Sequence, residues 1–137
     1  MERPFGFKGF TDQLVGVLDH YQLVDYTRYK RAAEYIRFQE MPAEVLIALA
    51  EKLPEANLRE GQNEGPTIEA CIALALQEPA SLFGGYIITR VRDDERFSID
   101  EVSVPTRLDL ANTAIASYLP AGEDDVVADG KRRLWWD

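Results

Sequence analysis

At Gly84 the periodicity of the chain changes, and this limits the fold more than any other feature of its 137 residues. Before Gly84, apolar residues recur every three or four positions, as on amphipathic helices. After it come short runs of β-branched and aromatic residues separated by turn formers, the texture of strands. Helices first and strands after, with one helix between the strands, is the pattern of an α+β domain with an antiparallel sheet.

Thr11 reads as an N-cap, and Leu14, Val17, Leu18 and Tyr21 follow at helical spacing, for a first helix to about Leu23. Tyr26 to Glu40 reads as a second helix, with Tyr29, Ala33 and Ile36 along one line. Pro42 at a first helical position opens a third, striped by Val45, Leu46, Leu49 and Leu53 and ended by Pro54. Glu55 to Gly65 is the main loop. Pro66-Thr67 starts a fourth helix that is apolar nearly all round, hence central and buried, and Pro79 stops it.

Tyr86–Arg92 and Arg96–Val104, joined by a polar turn at Asp93-Asp94-Glu95, form a predicted hairpin. In its second strand Phe97 and Ile99 share one parity and Val102 and Val104 the other. Either both faces are covered, or a bulge near Asp100-Glu101 resets the register. Thr106 with Asp109 matches a capping box for a fifth helix to about Tyr118, broken at Pro120-Ala121-Gly122. Val126–Ala128 and Leu134–Trp136, around Asp129-Gly130, make a second hairpin. The expectation is a single globular domain over 1–137, with a helical part at about 11–78 and a hairpin-helix-hairpin part at about 84–137. Four to five helices would pack on a small antiparallel sheet formed by the two C-terminal-half hairpins. An apolar fraction of 46 % gives such a domain a core.

The chain is poor in reactive side chains. It has one histidine, His20, and one cysteine, Cys71. Cys71 sits within an apolar helix, where burial disfavours a thiolate, and His20 lies near a helix end where its charge suits the dipole. Asp93, Asp94 and Glu95 read as a solvated turn. Glu123, Asp124, Asp125 and Asp129 flank the second hairpin without the alternating spacing of a calcium loop. Gly61–Gly65 lacks the lysine and the preceding strand of a phosphate loop. No cofactor and no metal are expected. The start of the chain lacks the apolar core of a signal peptide, and the longest apolar run, Ala70–Leu76, is far short of a membrane span. A single cysteine asks for no oxidising compartment, and a cytoplasmic protein without a membrane partner is expected.

The formal net charge of −9 repels nucleic acid and suits basic protein surfaces. Trp135 and Trp136 are consecutive, so on a strand they point to opposite faces, and one of them, beside Arg132 and Arg133, is placed to anchor a partner or to support self-association through the last strand's edge. The sequence therefore points to a non-catalytic protein-binding or regulatory module that acts through an acidic surface and an aromatic C-terminal strand, at Trp135, Trp136, Arg132 and Arg133. Three alternatives stand beside it. One is a nucleic-acid-associated protein using a basic-aromatic helix at 28–38, with Arg28, Lys30, Arg31, Tyr35 and Arg37 as contacts. The second is an inhibitor whose carboxylates imitate a nucleic-acid backbone. The last is a small enzyme using carboxylates, tyrosine and arginine, with Asp100, Glu101 and Arg90 facing a cleft with Tyr86.

Overall fold

In a computed structural model, residues 3–25, 34–127 and 129–137 are described. The chain is an α+β fold in which helices pack on one face of a six-stranded antiparallel sheet of order β1-β2-β3-β4-β6-β5. The strands are β1 (Val24–Asp25), β2 (Tyr35–Pro42), β3 (Leu82–Ile88), β4 (Arg96–Pro105), β5 (Glu123–Val127) and β6 (Lys131–Trp135). The helices are α1 (Thr11–His20), α2 (Ala43–Ala50), the single turn α3 (Glu55–Leu58) and α4 (Ile68–Gln77). The sheet thus draws on the whole chain rather than on two C-terminal hairpins alone.

The second expected helix is the main correction. Residues 26–33 lie outside the described residues, and Tyr35–Pro42 is a strand between β1 and β3. Ile36, Phe38 and Met41 enter the core from β2 while Tyr35 and Arg37 face the other way. The period-two alternation over Tyr35–Phe38 prevails over the weaker helical spacing read across Tyr26–Glu40. The fifth helix is absent as well. Leu110–Asn112 and Ala116–Ala121 form two short 3-10 segments instead. Asp109 bonds the Ala111 amide and the Asn112 side chain, and the Thr113 hydroxyl donates back to the Leu110 carbonyl at 2.8 Å. Side chains that bond the local backbone so readily compete with a continuous α-helix.

The core lies between the helices and one sheet face. Leu14 and Leu18 of α1, Val45, Leu46 and Leu49 of α2, and Ile68, Cys71 and Leu74 of α4 meet Phe38, Phe83, Ile87, Phe97, Ile99 and Val102. The parity change in β4 is resolved by a bulge: Gly84 pairs with Glu101 but Gly85 with Ile99, leaving Asp100 unopposed. Phe97, Ile99, Val102 and Val104 are all buried as a result.

Glu95 also departs from expectation. Asp93 is a solvated turn residue, but Glu95 is 1 % exposed. Its carboxylate accepts from the Gly9 and Thr11 amides at 2.8 and 3.1 Å, from the Thr11 hydroxyl at 2.6 Å and from Arg3 at 3.1 Å. A residue from the β3–β4 turn therefore caps α1, the role that Thr11 was expected to fill alone.

Candidate functional site

Gly84 and Gly85 occupy the middle of β3, and the flanking strands reach across them on both faces. On the core face, over Gly85, Phe38 of β2 stacks on Phe97 of β4, with centroids 5.1 Å apart and rings parallel within 2°. On the opposite face Arg37 of β2 bonds Asp100 of β4 at 2.6 Å and lies 3.7 Å from Glu101. Strands two apart in a sheet touch in this way only where the strand between carries no side chains.

A second bulge meets the first here. In β2 the pairing slips between Phe38 and Met41, so Gln39 and Glu40 share the place opposite Gly84, and Glu40 takes a left-handed backbone with φ of +53°. Two bulges therefore flank one glycine pair, and the open face of the sheet is hollowed at that line. The hollow is a groove of about 460 Å³ with Gly84 and Phe83 at its floor and Leu82, Gln39, Glu40, Glu101, Ser103, Asp129, Lys131 and Arg133 around it.

The charges are arranged in two groups. Arg37, Asp100, Glu101 and Arg133 form a braced cluster. Arg133 Nε donates to Glu101 Oε1, and its guanidinium lies 4.8 Å from the Trp135 ring centroid. Burial works against the charge on Arg37, but the bond and attraction of Asp100, helped by Tyr35, outweigh it and raise its pKa above the ordinary arginine value. Glu40 and Asp129 form the second group. Both are exposed at the groove rim, and both adopt positive φ, with Asp129 at +67°. Beyond the cluster, Tyr35 stacks on Tyr86 with centroids 5.0 Å apart, and Arg96 lies between the Tyr86 and Phe5 rings, 5.7 Å from each centroid.

The residues expected to contact a partner are divided among different surroundings. Trp135 and Arg133 lie on the open face beside the groove. Arg132 projects from β6 in the other direction and pairs with Asp124 at 2.6 Å. Trp136 is 2 % exposed and its indole N–H donates to the Tyr118 carbonyl at 3.0 Å, so it belongs to the core and not to a surface. The last strand, β6, lies between β4 and β5 and offers no free edge. The edge belongs to β5, whose Glu123, Asp124 and Asp125 blunt it against pairing.

Of the basic-aromatic set, Tyr35 and Arg37 lie on β2, with Arg37 held by Asp100, while Arg28, Lys30 and Arg31 fall outside the described residues. Asp100, Glu101 and Tyr86 do share the open face, but Arg90 is remote from them, paired with Asp12 at 3.1 Å. Cys71 is buried in α4, where burial pushes its thiol pKa well up, and His20 is exposed at the end of α1. Among the described residues no group of His, Cys, Asp and Glu is arranged to hold a metal ion, and no helix is long and apolar enough to cross a membrane.

One more polar cluster sits where the loop after α3 covers β4 beyond the end of β6. The Asn57 side chain bonds both the N–H and the carbonyl of Phe97 at 2.9 Å, standing in for a strand. Next to it Glu60, 4 % exposed, bonds Gln62 and lies 3.9 Å from Arg96. Burial raises the Glu60 pKa above the ordinary carboxylate value despite these partners. No family model, no curated protein and no solved structure matches the chain.

Proposed function

We propose that the chain is a non-catalytic protein-binding module whose docking surface is the hollowed open face of the sheet. The alignment of two bulges with Gly84 carries this reading. Irregularities on three adjacent strands converge on one groove, and bulges of this kind re-aim side chains next to binding sites. Half-buried Trp135, with Arg133 stacked on it, supplies the aromatic and arginine anchor that hot spots favour. The braced carboxylates argue for binding rather than catalysis at Asp100 and Glu101, which already hold Arg37 and Arg133.

The test is site-specific photo-crosslinking of the full chain in the cells that make it. A photoreactive side chain at Ser103 or Lys131 is expected to capture one and the same protein, and the capture is expected to fall at least fivefold when Trp135→Ala is added. A probe at Glu69, exposed on α4, serves as the comparison. Adducts no stronger at the groove than at Glu69, in protein shown by circular dichroism to be folded, would overturn the proposal.

A further inference from the structure

We infer that the groove receives a short basic segment of the partner, with one cationic side chain at the Glu40 rim and a second at the Asp129 rim. The inference rests on reading the open face as the docking surface, and it adds what that surface selects. Five charged side chains line the groove. Glu101 and Arg133 satisfy each other, and Arg37 reinforces Glu101 from β2. That leaves Glu40 and Asp129 against Lys131. Neither of the two carboxylates has an ion-pair partner among the described residues. Glu123 and Asp125 stand exposed on the same face of neighbouring β5, and the chain as a whole carries −9. The potential over the groove is therefore negative, and it attracts cations and steers a basic partner toward this face.

Geometry sets the spacing of those cations. Glu40 is on β2 and Asp129 at the β5–β6 turn, so β3 and β4 lie between their rims. Three strand steps of about 4.8 Å separate the rims across the sheet, and the four residues from Trp135, level with Gly84, to Lys131 add about 13 Å along it, so the rims lie roughly 20 Å apart. An extended peptide advances about 3.3 Å per residue, so basic residues about six apart match that span. Over Gly84 the Glu101 side chain takes the place a Cβ would fill, 3.3 Å from its Oε2, and the peptide would run along the groove beside it. The left-handed backbone at Asp129 belongs to the Asp-Gly turn and that at Glu40 to the β2 bulge, and both residues line the groove.

The probe is the capped peptide acetyl-Arg-Gly-Ser-Gly-Ser-Gly-Arg-amide, titrated into the full-length protein and read by backbone amide chemical shifts. Shifts are expected at Gly84, Ser103 and Gly130, with affinity falling about tenfold between 20 and 200 mM salt. Glu40→Gln and Asp129→Asn are each expected to weaken binding about fivefold, while Asp93→Asn, at an exposed carboxylate far from the groove, leaves it unchanged. Asparagine tolerates the left-handed backbone at position 129, so that variant keeps the turn. Moving the second arginine next to the first is expected to cost the same fivefold. Shifts scattered over acidic residues elsewhere, or binding as tight as that of the unaltered protein by both carboxylate variants, would overturn the inference. If crosslinking from Ser103 and Lys131 still captures a protein when the peptide fails, the docking surface stands and its basic occupant falls; failure of both removes the docking surface itself.

Discussion

The two faces of the sheet are built from the same strands, yet they handle the Gly84-Gly85 gap in β3 in opposite ways. On the helix side the gap is closed: Phe38 and Phe97 stack across it and the α2 and α4 side chains cover them. On the far side the gap is bridged by charge, Arg37 to Asp100, and left hollow beside the bridge. The contrast separates what holds the fold from what the fold presents, and mutations placed in matched pairs can break it.

Adjacent tryptophans give the largest contrast. Trp136→Ala removes a ring packed on Gly65 and Gly122 and leaves the Tyr118 carbonyl without its donor, so it is expected to cost about 3–5 kcal/mol. Trp135→Ala, on the open face, is expected to cost under about 1 kcal/mol while cutting crosslinking at the groove at least fivefold. Urea denaturation of both variants checks the pair; equal losses would mean that the open face is a second core. The glycines repeat the comparison on a smaller scale. A Cβ at Gly85 would stand 1.9 Å from the Ser98 carbonyl oxygen, so Gly85→Ala is expected to lose about 3 kcal/mol. At Gly84 the nearest atom is Oε2 of Glu101 at 3.3 Å, a side-chain end that needs to give by only a few tenths of an ångström, and Gly84→Ala is expected to stay within about 1 kcal/mol while weakening whatever the groove holds.

The charge bridge comes next. Arg37 and Asp100 are about seven-eighths and four-fifths buried at the side chain, with 12 % and 20 % exposure. Removing either one alone, as Arg37→Leu or Asp100→Leu, is expected to cost about 2–3 kcal/mol because its partner stays behind as a buried charge. The double variant is expected to recover at least about 1 kcal/mol of the summed loss, measured as a coupling energy in a double-mutant cycle. Additive losses would show that the bridge is not a unit and that the open face is held by something else.

This division was partly legible in the sequence. The parity switch between Ile99 and Val102 pointed to the bulge at Asp100-Glu101, and Asp129-Gly130 to the last hairpin, because both signals are local. The strand at Tyr35–Pro42 was hidden because only four residues alternate cleanly before the bulge at Gln39-Glu40 spoils the period. The groove was hidden for a stronger reason: it is made by residues from β2, β3, β4, β6 and the β5–β6 turn, and no spacing along the chain encodes the Arg37–Asp100 contact across a third strand. The Gly-Gly pair inside a β-branched run was the one available hint, since glycine in a strand interior marks a bulge or a close approach. Glu95 and Trp136 show the limit of composition. One is an acid in an acidic turn and the other an aromatic beside arginines, and each is buried because a distant partner, the start of α1 or the Tyr118 carbonyl, meets it.

Glu60 and Glu95 extend the comparison to two buried carboxylates near the start of β4, and they give the smallest expected effect. Glu95 is bound by four donors. Glu60 keeps one oxygen, Oε2, buried without a hydrogen bond of good geometry among the described residues, and burial raises its pKa against the pull of Gln62, Ser98 and Arg96. A carboxyl with a raised folded-state pKa holds its proton to higher pH than in the unfolded chain. Below the ordinary glutamate value both states are protonated, and Glu60 costs nothing. As pH rises above that value the unfolded state binds fewer protons than the folded one, so stability falls until the folded group also ionises. Glu60→Gln removes this slope while preserving shape. It is expected to leave stability unchanged near pH 4 and to raise it by on the order of 1 kcal/mol at pH 8, read as a shift in urea midpoint at each pH. An equal effect at both pH values would show that Glu60 acts through packing alone, and a loss at pH 8 would show that its attraction to Arg96 outweighs the burial of its charge.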